Sequence, residues 1–254
     1  MVVGTLATTS IEDVRSAAAG PLWFQLYVQP DRGFTQELVR RAEACGCQAL
    51  CVTVDTPISG ARNREARIRF ALPAGMSPEN LKNMPHLAAN DHTPGEDSIY
   101  SAVLDPTLTW KDIETIRAYA RVPVLLKGIL SADDADRAVR AGVAGLIVSN
   151  HGARNLDTVP ATIDALPEIV AKVAGRVPVL VDSGIRRGTD VLKAIAIGAS
   201  AVLIGRPYLF GLSAAGADGV AKVVGILRRE FEMAMALTGR TAIGKIDRSV
   251  LWTR

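Results

Sequence analysis

The chain has 254 residues, of which 48% are apolar, 22% charged and only 5% aromatic, and its formal net charge is +3. This suits one large α/β barrel or two ordinary domains, and the even spread of basic residues points away from a nucleic-acid role. No run of about 18 apolar residues marks a membrane span, and the opening MVVGTLATTS lacks the basic start of a secretory signal, so a cytoplasmic protein is expected.

In chain order, a first strand-like run at residues 2–6 carries Thr5 near its end. A second, at 22–28, carries Gln25 and Tyr27. Residues 34–44 follow a helical period, with Leu38 and Val39 on one face and Arg40, Arg41 and Glu43 largely on another. Cys45, Cys47 and Cys51 are the only cysteines and fall where this helix ends and a third strand, 49–54, begins. Their odd number argues against a disulfide framework. No histidine stands nearby to complete a zinc site, so we expect reduced thiols and no metal. The third strand ends in Thr53, with Asp55 just beyond.

Residues 57–108 then break the rhythm. They hold Pro, Gly, Asn and charged residues with little periodicity, and long loops of this kind are often lids. Arg62 lies in this stretch, as do His86 and His92, which read as surface residues. Capping boxes at Thr109–Asp112 and Ser131–Asp134 open two further helices, each with a hydroxyl for an orphan amide and an acid near the helix start. Strands follow at 123–127, ending in Lys127; at 145–149, ending in Ser149 with His151 and Arg154 just after; at 178–182, ending in Asp182; and at 201–204, leading into Gly205 and Arg206. Helical patterns fill 162–175, 189–198 and 219–239, and glycines 142, 175, 198 and 239 sit where helices should stop.

Strand–helix alternation predicts a parallel α/β fold, and near-continuous apolar runs indicate strands buried on both faces. A closed barrel competes with an open doubly wound sheet. No GxGxxG follows the first strand, and polar residues gather after every strand end, as a barrel rim requires. The expectation is a TIM (β/α)8-type barrel, incomplete with seven of eight strands.

The strand ends also suggest chemistry. Glycines 184 and 205 permit close approach of a phosphate, and Arg186 and Arg206 add charge-assisted bonds. Asp182 suits a ribityl or ribose chain. A lysine at the end of an apolar strand is costly to bury without purpose. Lys127 can stabilise negative charge on an electron-poor ring or form a Schiff base. His151 is a competent general base near neutral pH, Asp55 can hold its imidazolium, and Arg154 can grip a carboxylate.

The motifs FQLYV, TVDTP, LLKGI, SNHGARNLD, DSGIRRGTD and IGRP follow one another in this order. In this the chain resembles the FMN-dependent α-hydroxy acid oxidase/dehydrogenase family, which includes glycolate oxidase, lactate oxidase and mandelate dehydrogenase. The resemblance implies FMN as cofactor. It places Thr5, Gln25, Thr53, Lys127 and Ser149 at the flavin and Asp182, Gly184, Arg186, Gly205 and Arg206 at its ribityl phosphate. It makes His151 the base, supported by Asp55, and gives the substrate carboxylate to Arg154 and Arg62 and the substrate oxygens to Tyr27. Arg64 and Arg67 leave a register slip open at Arg62. Ser183 stands where many members have glycine.

The implied reaction oxidises a small L-2-hydroxy acid to the 2-oxo acid, with dioxygen or a quinone or cytochrome as acceptor, in a homo-oligomer, a tetramer by family. By the same resemblance, residues 1–254 form a single FMN-binding barrel domain, truncated before its first strand. Two alternatives compete: a non-catalytic or weakly FMN-binding remnant, and another FMN- or phosphate-binding barrel enzyme.

Overall fold

The computed structural model describes residues 1–85, 99, 101 and 103–252; His86 and His92 lie outside the described residues. Along the chain run β1 (Val2–Gly4), α1 (Ile11–Ala17), β2 (Trp23–Leu26), α2 (Arg32–Ala44), β3 (Leu50–Thr53), α3 (Asn63–Arg67), α4 (Trp110–Tyr119), β4 (Val124–Ile129) and α5 (Ala132–Arg140). After them come β5 (Gly145–Val148), α6 (Thr162–Val173), β6 (Val179–Val181), α7 (Gly188–Ile197), β7 (Ala201–Val202) and α8 (Arg206–Leu237). This is the strand–helix repeat of a TIM (β/α)8-type barrel, with seven strands among the described residues.

Contacts divide the chain into two units. The first is Met1–Lys127 with Arg140–Ala144 and Arg154–Leu156. The second is Gly128–Val139, Gly145–Ala153 and Asp157–Arg254.

In the first unit β1 to β4 pair in parallel and in chain order. Gly4 lies opposite Gln25, Gln25 opposite Cys51, and Thr53 opposite Lys127. Parallel pairing brings every C-terminal strand end to one edge, so Thr5, Gln25, Thr53 and Lys127 arrive there together. All four residues of β3 are buried, which is why the run is apolar up to its last residue, Thr53. Asp31 caps α2 by accepting from the Phe34 amide at 3.0 Å, and Phe34, Leu38, Val39 and Ala42 form its buried stripe. Asp112 closes the capping box of α4 by accepting from the Thr109 amide at 2.8 Å. Cys47 and Cys51 are buried, Cys45 is half-buried, and none is disulfide-bonded. Burial pushes the Cys47 thiol up to about 11.

In the second unit β5, β6 and β7 are parallel, with Leu146 opposite Val179 and Val181 opposite Val202. The strands β5 and β6 are fully buried, whereas Ala201 of β7 is exposed and Val202 half-buried. Ser131 accepts from the Asp134 amide at 3.1 Å, as its capping box anticipates. Leu192 and Ala196 of α7 pack with Ala234 of α8 and with Ile246. Gly188 allows the two helices to touch, since a Cβ there would stand 2.0 Å from the Phe231 nitrogen. Glu230 secures the contact, accepting from the Gly188 amide and pairing with Arg187, each at 2.9 Å. An 18-residue window of α8 has a mean hydropathy of 1.4, long and apolar enough by composition to cross a bilayer. Non-helical backbone at Ala215 and Gly216 breaks that helix in two.

Candidate active site

The first unit builds a polar chain across three strand ends. Thr5 is fully buried; its hydroxyl donates to the Gln25 carbonyl at 2.7 Å and accepts from the Tyr27 amide at 3.0 Å. The Thr5 amide faces both the Gln25 carbonyl, at 3.1 Å, and Gln25 Oε1, at 3.3 Å. Gln25 Nε2 in turn donates to Thr53 Oγ1 at 2.8 Å. The two contacts together fix which way the Gln25 amide points. Lys127 follows on the next strand, paired with Thr53.

Tyr27 reports the charges gathered beside this chain. Burial raises its phenol above the ordinary value; Lys127 opposes that rise, Asp55 adds to it, and a hydrogen bond with Thr56 and the charge of Arg62 oppose it. Tyr27 therefore stays protonated, a hydroxyl donor among a lysine, a carboxylate and a guanidinium.

Two guanidiniums meet at the same unit's edge. Arg62 stands at the N-cap of α3 and donates to the Arg154 carbonyl and, at 3.2 Å, to Asn155 Oδ1. Burial, and then the charge of Arg154, hold the Arg62 pKa below its usual value. Arg154 pairs with Glu65 of α3 at 3.0 Å. Asn155 ties this segment down, donating to the Asp55 carbonyl at 2.8 Å and to Thr56 Oγ1 at 3.0 Å. Of the three candidate arginines, Arg62 is the one placed beside Arg154. Glu65 is not legible in the sequence, and Asn155 stands out only as one residue of SNHGARNLD, because the partners of both lie about a hundred positions away.

The second unit holds Ser149, fully buried, with its hydroxyl accepting from the His151 amide at 3.2 Å. Residues 151, 152 and 153 all adopt left-handed backbone, with φ of 57°, 68° and 60°. Such conformations are rare for side chains other than glycine and persist where surrounding bonds enforce them. Here Gly152 donates to Ser183 Oγ at 2.9 Å, and Ser183 donates to Asp182 Oδ1 at 2.8 Å. Arg206 Nη2 donates to the Gly152 carbonyl at 2.8 Å.

A cavity of about 360 Å³ opens beside them, lined by Gly152, Ser183, Gly184, Lys193 and Arg206 among others. A Cβ on Gly184 or Gly205 would meet nothing within 4 Å. An open glycine cradle flanked by two cations at the start of a helix fits a phosphate group. Lys193 has no counterpart among the expected residues. Arg186 is exposed and does not line this cavity; its amide donates to Asp190 Oδ2 at 3.0 Å.

A family model described as FMN-dependent dehydrogenase matches residues 1–253. The 2-hydroxyacid oxidase of Dictyostelium discoideum is 49% identical over 253 residues, covering 99% of this chain and 64% of its own. The L-lactate oxidase of Nostoc sp. is 48% identical over 258 residues, covering 99% and 70%. Among solved structures, mandelate oxidase with benzoyl-formic acid superposes with a TM-score of 0.85 at 44% identity, covering 97% of this chain and 67% of that one. A mutant of mandelate oxidase with a C4a-OH-FMN adduct gives a TM-score of 0.85 at 43% identity, covering 97% and 68%. The chain thus spans about two thirds of the length of the relatives it matches.

Proposed function

The chain belongs to the FMN-dependent dehydrogenase family, and from that premise we propose that it oxidises a small L-2-hydroxy acid to the 2-oxo acid. Bound FMN supplies the two-electron acceptor. Gly184, Gly205 and Arg206, with Lys193, hold its phosphate, Arg186 adds charge from the rim, and Asp182 takes the ribityl hydroxyls. Gln25 and Thr53 bond the polar edge of the ring; Thr5 and Ser149, both fully buried, support the site indirectly, Thr5 by holding Gln25 and Ser149 by accepting from the His151 amide. Lys127 balances the negative charge that the ring gains on reduction.

Arg154 and Arg62 grip the substrate carboxylate, and the protonated Tyr27 donates to a substrate oxygen. His151 accepts the proton released from the substrate as the 2-hydroxy carbon loses two electrons, and Asp55 stabilises the resulting imidazolium. The relatives named above are oxidases, which supports dioxygen as the final acceptor. Their substrates support a 2-hydroxy acid with a small or aromatic side chain, and Leu6, 42% exposed at the end of β1, is the position we expect to meet it.

The observation that carries this reading is the pair of adjacent guanidiniums beside a protonated tyrosine and a lysine, an arrangement that an anionic substrate stabilises. The test is to load the purified chain with FMN and add L-lactate, glycolate or mandelate without oxygen. Bleaching of the flavin absorption by one of them is the expected result, slowed about 100- to 10,000-fold by His151→Ala. A flavin that none of the three reduces would overturn the reading, and full-rate reduction by the His151→Ala variant would remove the base.

A further inference from the structure

We propose that Asn80, in the short turn Glu79–Leu81 within the long loop after β3, is a positioning residue for the Thr5–Gln25–Thr53 chain. The proposal rests on the reading that this chain meets the flavin. Asn80 is completely buried although its side chain is wholly polar. Its Oδ1 accepts from the Ile11 amide at 3.0 Å, at the start of α1. Its Nδ2 donates to the carbonyls of Gly4, at 3.3 Å, and Thr5, at 3.5 Å. One amide group thus bridges both ends of the segment linking β1 to α1.

The turn that carries Asn80 is itself fastened. The Glu79 amide donates to the Ala7 carbonyl at 3.0 Å. Arg41 of α2 donates to the Asn80 carbonyl at 3.1 Å while gripping both Glu12 oxygens at 2.9 and 3.0 Å. Besides Asn80, the strand end at Thr5 is tied inward to β2, through the bonds with Gln25 and Tyr27, and by the Ala7 amide, which donates to the Gly4 carbonyl at 3.1 Å. Strand β1 is three residues long, and β2 is its only partner within the first unit's ladder among the described residues. The outward side of that end is held by Asn80. From Thr5 the position passes to Gln25 by the bonds described above, and from Gln25 to Thr53. A buried side chain that satisfies three backbone groups at once fixes them to one geometry, because each would be costly to leave unmade.

The test compares Asn80→Ala and Asn80→Asp with Leu81→Ala, a fully buried apolar neighbour in the same turn. Asn80→Asp keeps the volume, so the turn stays filled, but sets a carboxylate oxygen against two carbonyls. Amide hydrogen exchange at Thr5 and Tyr27 should accelerate about tenfold in both Asn80 variants, equivalent to losing one or two hydrogen bonds. In Leu81→Ala, matched for loss of thermal stability, those two amides should keep their protection. FMN titration should show a dissociation constant raised about tenfold and a shifted visible spectrum in the Asn80 variants alone. For Asn80→Asp the exchange effect should shrink as falling pH protonates the new carboxyl and restores a donor. Equal exchange at Thr5 and Tyr27 across all three variants would overturn the proposal. A parent chain that takes up no FMN would overturn the functional reading instead, while the exchange experiment still judges Asn80.

Discussion

Glu65 occupies the place where the proposed function puts a substrate carboxylate. It pairs with Arg154 at 3.0 Å, and its charge also acts on Arg62. Substrate must therefore displace it, and Glu65→Gln should tighten substrate binding without touching the chemistry. The pair is about half-exposed on both sides, 48% and 44%, so water screens it. Such pairs are worth about 0.2–1 kcal/mol, which converts to an affinity gain of ~1.4- to ~5-fold. Anaerobic stopped-flow measurement of flavin reduction against substrate concentration separates the two quantities. The half-saturating concentration should fall within that range while the limiting rate stays fixed. Added salt should shrink the difference between parent and variant, because it screens the ion pair in the parent. An unchanged or raised half-saturating concentration in Glu65→Gln would refute the argument that Glu65 competes for Arg154.

Three further outcomes can be checked. Gly188→Ala should destabilise the protein by about 1–3 kcal/mol, read by urea unfolding, because its Cβ would meet the Phe231 backbone and neither helix can yield freely. Ser183 has a φ of 68°. Ser183→Ala should therefore be less stable than Ser183→Gly by about 1 kcal/mol, since both lose the hydroxyl bonds but only alanine keeps the left-handed strain. For Cys47, burial raises the folded pKa from the ordinary thiol value of 9.0 to about 11. Its contribution to stability is whole below the unfolded value and declines as pH rises toward 11, because the unfolded thiol loses its proton first. Unfolding midpoints measured from pH 8 to 11 should fall, and Cys47→Ala should flatten that fall.

The parts of this structure legible in its sequence were those set by local pattern. Strand β3 is buried on both faces, and the apolar run at residues 50–52 announced that. Thr109 and Ser131 signalled helix starts because a capping box is written within four residues. Helix α1 carries a single buried residue, Ile11, so it left no periodic trace, and only Ser10 with its bond from the Asp13 amide marks its start. The expected helix at 219–239 is the part of α8 beyond the break at Ala215 and Gly216, whereas the piece before the break, from Arg206, left no trace because its turns are apolar around much of their circumference and show no face. Among the candidate site residues, Thr5, Gln25 and Thr53 were legible as strand ends. Their bonding into one chain was not, because it depends on strand register. Asn80 was illegible for the same reason: its partners lie roughly 70 positions away, and an asparagine in a polar loop looks like any other; Asn155 was legible only as part of SNHGARNLD, without its bond to Asp55 a hundred positions away.

The chain-order pairing of β1 to β4 also has a consequence for synthesis. The first two pairings span connections of roughly twenty residues each, whereas β3 and β4 are separated by roughly seventy, nearly two doublings, or about 1 kcal/mol more closure entropy. As the chain leaves the ribosome, β1 to β3 can assemble early, with the backbone edge of β3 unpaired and its largely apolar faces uncovered. At about 5–20 residues per second, β4 follows roughly 4–14 s later. For those seconds the nascent chain exposes an unpaired ladder that any passing strand can join, so its yield in the cell should depend on translation speed and on holding chaperones more than its final stability suggests.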